Sequence, residues 1–193
     1  MSKSRLKFKE WSSPKTPSDD TLLRLDLGTG KGQNKPEGFL GVDINEWEGV
    51  QVVDLLQPWP WANDSVDEVQ ANYLLQYFSQ KDRVHFANEL YRVLKPGAKA
   101  LIMTPYWASA KAYGDTGNQE APISEAWYPT LNKQWRDAQN YVDRSGYTCD
   151  FEYTLGYGLH PMIVARNQEY QQHAVSFWKE AAQDLVATLI PRK

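Results

Sequence analysis

The residues Leu25-Asp26-Leu27-Gly28-Thr29-Gly30-Lys31-Gly32 set a carboxylate just ahead of a glycine turn, and Phe39-Leu40-Gly41-Val42-Asp43-Ile44 brings a second carboxylate soon after. The apolar residues before each acid read as buried strands. Both acids therefore fall at strand carboxyl ends, where α/β proteins hold an adenosine-bearing cofactor. The glycine spacing narrows the chemistry. A dinucleotide fingerprint runs G-x-G-x-x-G, whereas Asp26-x-Gly28-x-Gly30-x-Gly32 puts a negative charge where a pyrophosphate would approach. That charge suits an amine, and it disfavours a nicotinamide-dependent reductase. Glycines at 28 and 30 allow a ligand to come close to backbone where a Cβ would collide.

These acids need a parallel sheet to bring them together. Thr21 to Leu27 reads as a central strand, and Phe39 to Ile44 as its neighbour. Between them, Gln33 to Gly38 is too short and too rich in Pro36 and Gly38 for a helix, so a turn is expected. Val50 to Leu55 reads as a third strand carrying Asp54, interrupted by Pro58 and Pro60. Ser65 to Asn72 reads as a fourth, with Asn72-Tyr73 at its end. Val84, Ala87, Leu90 and Val93-Leu94 recur at helical steps over Asp82–Leu94, and Lys95-Pro96-Gly97 stops that helix. Lys99 to Thr104 is a fifth strand. Asp26, Asp43, Asp54, Asn72 and Pro105 are expected to gather at one sheet edge. Beyond it, Ser124 to Ser145 reads as helical with Ser124 as cap, Tyr147 to Leu155 as a strand, and Asn167 to Ala182 as a helix with Ala174, Phe177, Trp178 and Ala181 on one face. Leu185 to Ile190 closes the sheet, antiparallel beside the fifth strand.

Composition bounds the rest. The chain of 193 residues fits one domain, with residues 21–107 as a cofactor half and 108–193 as a substrate or lid half. Residues 1–20 carry five basic side chains among Ser and Pro and read as a solvated arm, or one touching a partner. A net charge of -3 gives no footprint for nucleic acid or an anionic membrane. A single cysteine, Cys149, excludes an internal disulfide framework. His85, His160 and His173 show no ligand spacing, so no metal is expected. Without a long apolar run or a signal-like start, the expectation is a cytoplasmic protein. Oligomeric state is not legible.

Taken together, Leu25 to Gly30, Gly41-Val42-Asp43, Asp54-Leu55, Ser65 to Val69 and Glu89-Leu90-Tyr91-Arg92-Val93-Leu94-Lys95-Pro96-Gly97 resemble the class I S-adenosylmethionine-dependent methyltransferases, in particular a small type-11-like group of bacteria and phages. The resemblance covers residues 21 to 107. It implies a Rossmann-like three-layer α/β sandwich with a mainly parallel seven-stranded sheet, an antiparallel last strand and, here, a shortened first connection. It also implies S-adenosylmethionine as cofactor, S-adenosylhomocysteine as product, and a small molecule, nucleotide or modified base as acceptor. By that resemblance Asp26, Gly28 and Gly30 face the methionine portion, Asp43 the ribose, Asp54 and the Leu55 N–H the adenine, and Asn72 the sulfonium, with Ile44 also lining the cofactor site.

The chain departs from relatives at two places. Where they carry a His-x-Leu-Glu-His-like run, this sequence has Tyr73-Leu74-Leu75-Gln76-Tyr77, and Tyr113 to Gln119 lacks the Pro and His of a D-P-x-H-type loop. Tyr73 and Asp115 are the catalytic candidates, with Glu120 and His160 as further positions for a base. The loss of those groups leaves open an alternative, a non-catalytic S-adenosylmethionine-binding or interaction protein. The aromatic residues after Trp107 have two roles open to them, packing over the sheet or a lid that stacks on a planar acceptor or cages a cationic one.

Overall fold

Four residues suffice for β1, Arg24–Leu27, because it lies between two neighbours in the sheet and its two leucines, Leu25 and Leu27, are fully enclosed. β2 (Leu40–Asp43) and β4 (Val66–Asn72) flank it in parallel, β3 (Val50–Val52) lies outside β2, and β5 (Leu94–Pro105) pairs with β4. β7 (Ala182–Pro191) runs antiparallel between β5 and β6 (Phe151–Leu159). The seven strands lie in the order β3-β2-β1-β4-β5-β7-β6. This is the expected mixed sheet with its antiparallel last strand. A computed structural model describes residues 22–115, 119–140 and 146–193. The expected basic arm at 1–20 and the end of the helix expected to reach Ser145 lie outside them.

Helix α1 (Gln80–Val93) starts where a capping box allows it: the Ser79 side chain accepts from the Asp82 N–H, and the Asp82 side chain accepts from the Ser79 N–H. Its buried stripe of Phe86, Ala87, Leu90 and Val93 joins Leu25, Leu27, Val69, Ala71, Ala100 and Ile102 in one core. On β4, β5 and β6 the intervening side chains, among them Glu68, Gln70, Lys99, Leu101, Glu152 and Thr154, are half-buried or exposed. The connections β1–β2, β2–β3 and β3–β4 contain no helix. The first of these absences was expected from Pro36 and Gly38. The third is filled by side chains. Trp59 and Trp61 are both buried, edge to face at 5.8 Å, and Trp59 packs on Phe86 at 5.4 Å. Two prolines forbid a helix there, and two indoles supply the apolar area instead.

Several boundaries differ from the sequence reading. The segment Ser124 to Ser145 is not one helix: a 3₁₀ turn spans Glu125–Leu131 and α2 covers only Lys133–Ala138. Pro129 has no N–H to continue the ladder, and Asn132 restarts the helix by accepting from the Trp135 N–H. Ser124 occupies the cap position without a side-chain hydrogen bond. β3 ends at Val52 rather than Leu55, and β6 begins at Phe151 rather than Tyr147. Lys95-Pro96-Gly97 is not a turn outside the sheet but the start of β5, with a register irregularity opposite Val66 to Glu68. Between β6 and β7 stands a short helical insertion, α3 (Pro161–Val164) and α4 (Gln168–Phe177). α4 is shorter than Asn167 to Ala182, and Phe177 points outward, 74% exposed, while Ala174 is buried.

Candidate functional site

Sheet register assembles the carboxyl edge around the glycine turn. Leu27 stands level with Val42 on β2 and with Ala71 on β4, so Asp43, Gly28 and Asn72 form the next row across the carboxyl edge. The turn that follows is pinned to β2 because the Gly28 and Thr29 N–H groups both donate to the Val42 carbonyl, at 2.8 and 3.1 Å. Gly28 and Gly30 have φ of 71° and 59°, the left-handed region that favours glycine. A Cβ at Gly28 would meet Leu74 at 2.9 Å, whereas one at Gly30 would enter open space. Gly28 is thus needed for packing against the loop after β4, and Gly30 leaves a cradle.

Asp43 is the organising carboxylate. Its Oδ2 accepts from the Gly30 N–H at 2.9 Å, and its Oδ1 accepts from the Asn45 N–H and Nδ2 at 2.9 and 3.1 Å. Of about four lone-pair positions on a carboxylate, three are thereby engaged. Two ligand hydroxyls could not both be accepted unless the Asn45 amide swung aside. Asp26 is buried, and its Oδ2 accepts from Thr29 Oγ at 2.6 Å. Burial raises its pKa, against the Thr29 hydrogen bond and the nearby Lys35. A desolvated carboxylate at this point is a receptor for positive charge. Asp54 closes its own turn by accepting from the Leu56 N–H, and the Val53 N–H donates to the Asp43 carbonyl, which holds the two acids' loops together. The Leu55 side chain is buried, leaving its backbone for any ligand contact, while Ile44 is 63% exposed at the rim.

On the far side of the row, Tyr73 has a φ of 53°. A non-glycine residue held there costs about 1–3 kcal/mol and persists only where its surroundings enforce it. They do so here: the Tyr73 N–H donates to the Met103 carbonyl, and its phenol donates to Asp184 Oδ1 at 3.0 Å. Lys111 Nζ donates to the same oxygen at 2.9 Å and stands 5.4 Å from the Tyr73 ring centre. Burial, then the Asp184 hydrogen bond and charge, raise the Tyr73 pKa. The phenol therefore stays protonated at neutral pH, acting as a donor and a ring face rather than as a base. Asp184 reaches this place because β6 has Gly158 opposite it; a Cβ there would lie 2.9 Å from Asp184 Oδ2.

Next to this cluster, Glu125 accepts from Tyr106 at 2.8 Å and from Tyr157 at 2.7 Å, both through Oε1. Burial alone would raise the pKa of Glu125, but hydrogen bonds from Tyr157, a backbone N–H, Tyr106 and the Trp107 indole outweigh it and hold the carboxyl below its usual range. Desolvation and the bond to Glu125 push the Tyr106 phenol up to about 12. Trp107, Tyr113, Pro122, Ser124 and Glu125 line an open cleft of about 580 Å³.

The remaining candidates have the following partners. On α1, His85 Nε2 lies 3.0 Å from the Gln57 carbonyl, and His160 caps α3 by accepting from the Met162 N–H. His173 packs on Phe177 and Trp178. The Gln119 N–H donates to the Asp115 carbonyl, and the Glu120 N–H to the Gln76 carbonyl. Burial pushes Cys149 up to about 12, which leaves it inert. Among the described residues no group of His, Cys, Asp and Glu could hold a metal, and no helix is long and apolar enough to cross a membrane. Sequence reasoning missed Asp184, Lys111 and Glu125, which only the β5–β7 pairing and the loop after β5 bring in. It also missed a role for the Glu89-x-x-Arg92 pair. Arg92 donates to the Trp59 and Trp61 carbonyls, and Glu89 accepts from the Trp59 N–H at 2.6 Å, so this pair clamps the segment that replaces a helix.

A methyltransferase domain family matches residues 40–102. No curated protein matches the chain by sequence. Among solved structures, a SAM dependent methyltransferase from Archaeoglobus fulgidus superposes with a TM-score of 0.62 at 15% identity, covering 90% of this chain and 87% of that one. An S-adenosylmethionine dependent methyltransferase from Mesorhizobium loti gives 0.55 at 17% identity, with 89% and 91% covered. Geranyl diphosphate C-methyltransferase from Streptomyces coelicolor A3(2), solved with S-adenosyl-L-homocysteine, gives 0.53 at 12% identity, with 88% and 73% covered. The strand order, the glycine turn and these likenesses together give the chain the fold of the class I S-adenosylmethionine-dependent methyltransferases.

Proposed function

We propose that the protein is an S-adenosylmethionine-dependent methyltransferase acting on a small molecule, nucleotide or modified base. The observation that carries this is the row Asp43–Gly28–Asn72 with Asp26 buried behind it, at the carboxyl edge of a sheet with this strand order. The donor set fits the cofactor. Buried Asp26 receives a cationic amine, the Gly30 cradle takes the adjoining chain, and Asp43 accepts from the ribose. Asp54 accepts from the adenine amino group, with the Leu55 N–H beside the ring and Ile44 against its face; Asn72 lines the sulfonium end.

When bound, S-adenosylmethionine supplies an already activated methyl group. The protein's task is then mainly to place an acceptor in line and exclude water, since orientation alone supplies several kcal/mol, in the range of about 7–11 kcal/mol for ideally held reactants. Tyr73 is suited to positioning: its ring is fixed by backbone and by Asp184 at the point where donor and acceptor sides meet. Asp115 stands further along the loop after β5 and contributes, on this reading, to the acceptor side. Incubation with methyl-labelled S-adenosylmethionine and separate pools of metabolites, nucleotides, RNA, DNA and protein tests the reaction. Label in a small-molecule or nucleotide pool is expected; tight cofactor binding with no pool labelled would favour the non-catalytic binder.

A further inference from the structure

We infer that the cleft formed by Trp107, Tyr113 and Glu125 is the acceptor subsite, and that it takes a small molecule bearing a positively charged nitrogen. As an acceptor site this rests on the methyl-transfer reading; as a cation site it stands by itself. Three observations carry it. First, Glu125 is held as an ionised carboxylate by neutral donors, the Tyr106 and Tyr157 phenols, the Trp107 indole and a backbone N–H, and it forms no ion pair among the described residues. It therefore keeps its full charge in a partly desolvated setting, where attraction for a cation is stronger than in water. Lys111, the cation on the same loop, is already paired with Asp184 at 2.9 Å.

Second, large aromatic faces stand exposed around that charge: Trp107 is 46%, Tyr113 52% and Tyr157 38% exposed. Tyr113 is braced by donating to the Trp107 carbonyl at 3.0 Å, and Tyr106 holds Trp107 and Tyr157 at ring distances of 5.8 and 5.5 Å. Braced, unburied rings beside a carboxylate are an arrangement that recognises ammonium groups through both ring quadrupole and charge. Third, the loop that lines the cleft is tied to Tyr73, the residue that follows Asn72. Trp107, Lys111 and Tyr113 belong to one loop leaving β5, and Lys111 is bound to Asp184 beside Tyr73. A volume of about 580 Å³ is within the range of small-molecule sites.

The test is calorimetric titration of the full chain with choline and with its neutral isostere 3,3-dimethylbutan-1-ol, alone and with S-adenosylhomocysteine present. Choline is expected to bind about tenfold more tightly than the isostere, and Glu125→Gln to remove that preference while circular dichroism stays unchanged. Trp107→Leu, on the exposed face, is expected to weaken choline severalfold and serves if Glu125→Gln does not fold. Equal affinity for the two probes, no choline binding, or choline binding untouched by the variants would overturn the cation site. The arms separate the two readings: choline bound without S-adenosylhomocysteine binding would sink the cofactor assignment and keep the cation site, and the reverse would do the opposite.

Discussion

The donor side and the acceptor side of the same sheet edge are built in different ways. From β1 to β4 the crevice is made of backbone and short carboxylates, set by strand register: Asp43 holds Gly30, Val42 holds Gly28 and Thr29, and Asp43's carbonyl holds Val53. Beyond β5 the edge is made of long side chains reaching across loops: Tyr73 to Asp184, Lys111 to Asp184, Tyr106 and Tyr157 to Glu125. A cofactor with fixed chemistry suits the first kind of site. An acceptor that differs from protein to protein suits the second, because loops can change while register stays.

If the donor side owes its shape to the sheet, damage to its support should be costly. Trp59→Ala removes the buried indole that stands in for the β3–β4 helix and is expected to destabilise the protein by about 3–5 kcal/mol, read by urea denaturation. Asp43→Ala is expected to weaken S-adenosylhomocysteine binding by ten- to a hundredfold, from loss of hydrogen bonds worth about 1.5–3 kcal/mol. Tyr113→Leu, by contrast, should leave cofactor affinity within about twofold, since only the acceptor side uses that ring. A large loss would erase the distinction between the two sides.

Two acids of the donor half, buried Asp26 and half-buried Glu89, sharpen it further. Asp26 has a raised pKa through desolvation, so its charge costs stability above that pKa. Asp26→Asn is expected to raise the melting temperature of the ligand-free protein by a few degrees at neutral pH while lowering cofactor affinity. Glu89 is opposite in sign. Its hydrogen bond from Arg92, aided by the Trp59 N–H, depresses its pKa against burial. It therefore adds stability above the ordinary carboxylate range, and that contribution fades as pH falls through its lowered value. Glu89→Gln should flatten the acid side of a plot of melting temperature against pH, by the smallest of these effects.

The same contrast decides what could be read from sequence. Alternating apolar runs, Pro36 with Gly38, and the spacing of Asp26, Asp43 and Asn72 are local signals, and they carried the positions of the first strands and the absence of a first helix. α1 was legible because its apolar stripe and the Lys95-Pro96-Gly97 stop agree with its capping box, though β5 takes up the stop itself. The region after Trp107 was not. One proline, Pro129, divides an apparent helix, and aromatic residues look alike whether they pack or line a cleft. Asp184 shows no motif at all; its place depends on pairing with Pro105 and on the space left by Gly158. Glu89 and Arg92 lay inside a recognisable motif, yet their contact with Trp59 and Trp61 spans a separation that no local pattern reveals.

Calorimetry of the full chain with S-adenosylhomocysteine and, separately, with NADH tests the account at its centre. Binding of S-adenosylhomocysteine, lost with Asp43→Ala, and no binding of NADH is the predicted result. NADH binding without S-adenosylhomocysteine binding, or affinity unchanged in Asp43→Ala, would contradict it.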